Sequence, residues 1–293
     1  MVKEKGKKPK KRIFLKILLV LVGIIVIFMA YSFIKEQLTP IAVLIINSGT
    51  AEVKSASGDW KSATSGMGLS EGMSIKTLSG SRAIVVLRDS SVTRLDENTE
   101  ITLNNLNKTD VSIIQSAGQT WTRLLKFSGI SGYEIETPDA LATVRGTAFA
   151  VSIGNGTYIG VVEGTVHTLT CKLENNTRTI ISSIDIHENN SVDIDPNKLE
   201  LKDLKVIGLL RTKWIDENDE KDRQYIIELS DRLISRYSMQ INFFKRKNNL
   251  TDEQIREYMV DYIVGKKSIR SEIQAGNVSE AVLIMIPEEL KRY

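Results

Sequence analysis

The chain has 293 residues, room for roughly two domains. Its 39 Lys+Arg against 36 Asp+Glu give a formal net charge of +3, but residues 1–16 alone hold eight Lys/Arg and one acid, so the remainder is net acidic with 31 basic and 35 acidic residues. That distribution argues against a nucleic-acid partner, which needs a clustered basic face. One cysteine excludes a disulfide framework and Cys-rich metal sites, and two histidines, His167 and His187, leave little material for His-dependent catalysis.

The chain opens with a basic tail, 1–16. Residues 17–34 then run without a charge. At 1.5 Å per residue that stretch spans about 27 Å, close to the thickness of a bilayer's hydrocarbon core. Tyr31 and Phe33 stand near its outer end and Lys35 and Glu36 close it. The reading favoured here is one uncleaved transmembrane helix. A cleaved signal is the alternative, since Ala30-Tyr31-Ser32 has the small-x-small form of a cleavage site. The apolar run is longer than a usual signal core and continues past that site. The positive-inside rule places the tail in the cytoplasm and the rest outside, a single-pass protein of the cell membrane. The tail is suited to anionic lipid headgroups, at about 1 kcal/mol per basic residue. Six Asn-x-Ser/Thr sequons, at Asn107, Asn155, Asn175, Asn189, Asn249 and Asn277, would be surface positions if glycosylated.

After a linker, 35–40, residues 41–198 read as short strands separated by turn signals every 8 to 12 residues. Fourteen of the nineteen glycines fall between Gly49 and Gly164. The candidate strands are IAVLII, TAEVKS, SIKTL, RAIVVLR, SVTRL, TEITLNNL, VSIIQS, YEIET, FAVSI, YIGVV, TVHTLT and SVDID. Several alternate strictly. In Thr99–Leu106 the pattern puts Ile101, Leu103 and, loosely, Asn105 on one face. Asn-Gly, Ser-Gly and Asp-Ser pairs supply the turns. The pattern predicts an all-β domain, sandwich- or jelly-roll-like, with a short β-solenoid as alternative.

From about Leu199 the period becomes helical, and 199–293 is expected to be a small α-helical unit. Ile226, Leu229, Leu233, Tyr237, Ile241 and Phe244 form one apolar stripe of a helix about 25 residues long. Thr251-Asp-Glu-Gln254 is a capping box, after which Ile255, Tyr258, Met259, Tyr262 and Ile263 continue at helical spacing. A last segment, 278–285, is helix or strand before Pro287.

One block carries more information than the strands. It runs TPDALATVRGTAFAVSIGNGTYIGVVEGTV, from Thr137 to Val166. Pro138 starts an extended segment. Arg145-Gly146-Thr147 interrupts an apolar strand, and a glycine there indicates a bulge or close backbone approach. Arg145 stands between Val144 and Phe149. It is therefore expected to be a buried structural clamp, with Glu163 or Glu136 as its acceptor; an anion-binding Arg145 is the functional alternative. Gly154, Gly156 and Gly164 are expected at positive-φ turns. No Lys-Ser/Thr follows, which excludes a phosphate loop.

The block resembles the central signature of FecR-like extracytoplasmic domains: a TP, an apolar stretch, VRGT-x-F-x-V, a turn, and V-x-x-G-x-V. The residues that carry it are Thr137, Pro138, Val144, Arg145, Gly146, Thr147, Phe149, Val151, Glu163, Gly164 and Val166. Upstream, Trp60, Gly66 to Leu69, Gly72, Ile75 to Thr77 and SRAIVVLRDSSVTRLDENTEITL resemble the same family. The likeness covers about 41–194. The resemblance implies a single-span signal transducer whose outer domain senses a receptor and whose cytoplasmic segment controls a sigma factor. A tail of twelve to sixteen mostly basic residues is too short to fold or grip such a factor.

Other sites carry less. Asp185, His187, Glu188, Asp193 and Asp195 form an acidic stretch without EF-hand spacing, and solvated turns are the reading preferred over Ca²⁺. No Gly-x-Ser-x-Gly elbow exists. His167 fits the exposed face of an alternating strand. Trp60, Trp121 and Trp214 read as core or edge anchors. The expectation is a non-enzymatic protein, without cofactor or metal, that binds a protein or surface polymer outside the membrane. The alternative is a transmembrane signalling subunit acting through a separate cytoplasmic regulator.

Overall fold

The computed structural model describes residues 40–266 apart from 88–90, 108, 126–129, 131, 175–176 and 265, together with Met29 and Gln274. The chain divides into two units, Met1–Pro40 and Ile41–Tyr293. The tail, the expected membrane helix apart from Met29, and the 278–285 segment lie outside the described residues. Among the described residues no helix is long and apolar enough to cross a membrane.

The second unit is mostly β-sheet with a small helical part. In chain order the strands are β1 (Ala42–Ser48), β2 (Ala51–Lys54), β3 (Lys61–Ser62), β4 (Gly68–Leu69), β5 (Ser74–Thr77), β6 (Arg82–Leu87), β7 (Ser91–Leu95), β8 (Glu100–Leu106) and β9 (Asp110–Arg123). They continue with β10 (Gly132–Glu136), β11 (Ala140–Val144), β12 (Ala148–Ile153), β13 (Thr157–Glu163), β14 (Thr165–Glu174), β15 (Thr177–His187), β16 (Asn190–Ile194) and β17 (Val206–Gly208). A 3-10 turn, Leu201–Asp203, precedes β17. Then come the helices α1 (Lys213–Arg236), α2 (Ser238–Asn248) and α3 (Asp252–Val264).

Pairing sorts the strands into two open halves joined by β9. One half runs β4-β1-β6-β7-β9-β12-β13-β16-β17. The other runs β3-β2-β5-β8-β9-β10-β11-β14-β15. The β9–β10 pair is parallel and the rest are antiparallel. Through residue 117, β9 pairs with β8; from Gly118 onward it pairs with β7 and β12. Gly118 makes that passage possible. Its φ is +78°, and a Cβ there would stand 2.4 Å from the Thr99 Cα. Only glycine tolerates both conditions.

The core is built by period-2 alternation from both halves. In β6, Ala83, Val85 and Leu87 are buried, and in β8, Ile101 and Leu103 are fully buried. These residues join one apolar cluster with Leu44, Ile75, Ile113, Ile135, Phe149, Val151, Ile159 and Val192. Tyr133 sits in this core edge-on to Phe149, with ring centroids 6.3 Å apart. Its hydroxyl bonds to Thr93 Oγ1 at 2.7 Å. Burial pushes its pKa up to about 12, the Thr122 and Thr93 hydrogen bonds pulling the other way.

Three local expectations change. A register shift between Leu103 and Asn105 turns Leu106 inward instead of Asn105, as an extra residue in a strand must. The long helical stripe is broken at Tyr237 (φ −109°, ψ 29°) into α1 and α2. Of the expected glycine turns, Gly164 has a positive φ of +88°, whereas Gly156 is required by close approach, a Cβ there lying 2.2 Å from the Ile194 carbonyl oxygen. The capping box forms as expected. Thr251 N–H donates to Gln254 Oε1 at 2.9 Å, and Gln254 N–H to Thr251 Oγ1 at 3.2 Å.

Candidate functional site

The signature block forms β11, β12, β13 and the turns around them. Thr137 ties the β10–β11 turn: its Oγ1 accepts from Ala140 N–H at 3.0 Å and lies 2.9 Å from Thr157 Oγ1. Pro138 is exposed in that turn. Val144, Phe149, Val151 and Val166 are core residues. Gly146, with φ +62°, makes the turn into β12. Thr147 is fully buried, and its hydroxyl donates to the Arg145 carbonyl at 3.3 Å.

Arg145 itself is exposed. The buried-clamp expectation is corrected. Val144 takes the inward position at the end of β11, so alternation sends Arg145 out at the turn. The two acceptors expected for it serve other arginines. Glu163 pairs with Arg123 at 2.7 Å, and Glu136 pairs with Arg178 at 2.5 Å. Arg178 also donates to the Thr137 carbonyl at 3.1 Å and to Cys171 Sγ at 3.2 Å. Cys171 is buried, and that burial raises its thiol pKa.

The densest buried charge lies elsewhere, where α1 crosses the outward face of β7, β9, β12 and β13. Register builds this face in rows. Arg94 stands beside Trp121 and Trp121 beside Ala150. In the next row Arg123 stands beside Ala148, and Ala148 beside Glu163. The alanines leave room for the helix. Trp121, Ala148, Ala150 and Val162 pack against Trp214 and Ile215 of α1. One turn on, α1 presents Asp219 and Asp222, spaced i, i+3 on the same side.

Asp222 is 1 % exposed. Its carboxylate accepts from Trp121 Nε1 at 2.7 Å, Arg94 Nη1 at 2.5 Å and Arg123 Nε at 3.3 Å. Asp219, also buried, is 3.6 Å from Arg123 and accepts from Arg211 at 2.9 Å and Arg223 at 3.1 Å. Burial works against the charged Arg123, but Glu163 and Asp222 more than offset it, so its pKa is raised. Every charge in the cluster has an opposite partner, which is the condition for burying it.

Residues 73–167 match the family model described as "FecR protein". This stretch is similar to FecR domains. The match runs from just before β5 into β14, narrower than the 41–194 resemblance. No curated protein matches. Two crystal structures of a "putative anti-sigma factor" from Parabacteroides distasonis ATCC 8503 are similar, each at 16 % identity and a TM-score of 0.37. Each likeness covers 46 % of this chain, and the chain spans 59 % of the length of those structures.

In this stretch the signature residues mostly hold the two halves together, and Glu163 alone among them enters the α1 cluster. Sequence reasoning missed Arg94, Arg123, Asp219 and Asp222, and read Trp121 only as a core or edge anchor. A signal existed: Trp-Thr-Arg at 121–123 puts Trp121 and Arg123 on one strand face, and two aspartates at i, i+3 share a helix face. Among the described residues no group of three or more His, Cys, Asp or Glu is arranged to hold a metal. His167 lies on an exposed strand face, its Nδ1 2.6 Å from Asp185. Trp121 and Trp214 anchor α1 to the sheet, while the Lys54 and Lys76 ammonium groups stand over the Trp60 ring at 5.0 and 4.5 Å. A cleft of about 590 Å³ opens at the β12–β13 turn, lined by Asn155, Thr157, Tyr158, Asp193 and Asp195. Asp139 beside it has a raised pKa, from burial first and then from the charge of Asp195.

Proposed function

We propose that this chain is a non-enzymatic signal-transduction regulator of the FecR-like kind. In this reading it is anchored by residues 17–34 in the cell membrane, with the tail in the cytoplasm and the β domain outside. The β domain binds a protein or surface polymer of the envelope. The signal passes to a separate cytoplasmic regulator, and the basic tail rests on anionic lipid headgroups. Two open sheets around one core are read as a sandwich, which carries its binding elements on loops and edges. No nucleic acid, cofactor or metal enters this account.

The observation that carries the reading is the FecR match over residues 73–167. It is supported by an uncharged run of eighteen residues directly after a sixteen-residue tail that holds eight basic ones. The test is a pull-down from native membranes, with the full-length chain cross-linked in cells and the 41–293 fragment as parallel bait. A cytoplasmic or membrane regulator captured by the full-length chain, with an envelope partner captured by both, is the expected result. Capture of an envelope partner alone would leave a binding module without a signalling role. Capture of neither would sink the reading.

A further inference from the structure

We propose that the outward face of β7, β9, β12 and β13 is an interaction surface for an acidic helix, held closed by the chain's own α1. The inference goes beyond the regulatory role and holds whether or not the chain is membrane-anchored.

The first argument is that the β domain does not need α1. Its core cluster is filled entirely from residues 42–204. The helix contributes to two separate, smaller clusters. One joins Trp121, Ala148, Ala150 and Val162 to Trp214 and Ile215. The other joins Leu125 to Ile226 and Ile263. The second argument is the chemistry of the buried helix face. Between Ile215 and Ile226 its buried residues are Asn218, Asp219 and Asp222, where a helix of the permanent core would bury apolar side chains. Buried ion pairs set orientation strongly but add little net stability over apolar packing. Such a contact is selective and separable.

The third argument is what separation would leave. Arg94, Arg123 and the Trp121 indole N–H would lose Asp222, the acceptor they share, and Arg123 would keep Glu163. The strip would then be cationic, with small apolar residues between its polar groups. A helix with carboxylates at i, i+3 and an aromatic five residues before the first of them matches it, as Trp214, Asp219 and Asp222 do. The hinge is short. Leu209 N–H is bonded to the Asn189 carbonyl at 2.8 Å, and α1 starts after Thr212, which caps it. Leu210, between them, is 66 % exposed.

The experiment uses the full chain and a fluorescent peptide of residues 213–236. The double variant Asp219→Lys/Asp222→Lys repels its own α1 from Arg94 and Arg123. The peptide is expected to bind this variant at least tenfold more tightly than wild type. Hydrogen exchange is followed in the same samples. Amides of α1 should exchange at least tenfold faster in the variant, while those of β9 and β12 keep wild-type protection. Equal peptide binding to both proteins, or no binding to a variant with protected β9 and β12, would overturn the proposal. If the double variant fails to fold, Asp222→Asn is read the same way. Loss of protection in β9 together with α1 in that milder variant would also overturn it, because the helix would then be part of the core.

Discussion

Replacing Gly118 by alanine isolates the feature that lets one strand serve both halves of the fold. Two costs can be worked from the structure. At φ +78° an L-residue costs about 1–2 kcal/mol. The new Cβ would also lie 2.4 Å from both Cα and Oγ1 of Thr99 and 2.7 Å from the Asn98 carbonyl oxygen. Backbone must therefore move, and Thr99 cannot move freely. Its Oγ1 accepts from Gln119 N–H at 3.0 Å and donates to the Gln119 carbonyl at 3.1 Å. Losing those two bonds adds about 1 kcal/mol each. The expected loss is about 3–4 kcal/mol, or roughly 6–16 °C in melting temperature for a unit of this size. Gly66 is the control: its φ is +87° but nothing lies within 4 Å of a Cβ, so Gly66→Ala should cost only about 1–2 kcal/mol. Gly154 has neither burden, and Gly154→Ala should be neutral or stabilising by up to about 1 kcal/mol. Chemical denaturation of the three variants orders them. Equal losses at Gly118 and Gly66 would refute the close-approach argument.

Two further outcomes follow from the side chains. Arg145 is exposed, so Arg145→Ala should change stability by no more than about 0.5 kcal/mol, while Arg123→Ala, which strips a buried cluster, should loosen α1 and shift Trp121 fluorescence; the reverse order in a denaturation series would restore the clamp at Arg145. The raised pKa of Asp139 means that the folded chain binds its proton more tightly than the unfolded one, so this group's contribution is favourable at low pH and is lost as pH rises through the carboxylate range. Asp139→Asn should therefore raise the melting temperature near pH 7, with the gain disappearing as pH falls through the carboxylate range, and a gain independent of pH would contradict the burial argument.

Much of the β domain is legible in its alternation. Strands such as β6 and β10 declare themselves because every second residue is apolar. The strands that escape do so for physical reasons. Residues 140–144 are small and short, and β15, which pairs with β14 at a sheet edge, buries only Ile186 and leaves Ile180 and Ile181 exposed. The second half of β9, Gly118 to Arg123, reads as a turn followed by polar residues, yet it is the centre of one half of the fold. Of its inward threonines, Thr122 bonds to Tyr133 and Thr120 to Gln115, and its outward Trp121 and Arg123 face the helix, so neither face looks apolar in sequence. The family signature was legible from local spacing. The partner of each arginine was not, because Arg123 and Asp222 are brought together across 99 residues by tertiary packing.

The most direct test of the account is the side of the membrane on which the proposed extracytoplasmic β domain stands. Cys171 is buried, so a new surface cysteine can be labelled against a low background. Ser116→Cys, exposed on β9, and Lys5→Cys, in the basic tail, are compared in intact cells with a membrane-impermeant maleimide. The account predicts labelling of Ser116→Cys in intact cells and of Lys5→Cys only after lysis. Protection of Ser116→Cys until lysis would place the domain inside and contradict the central claim.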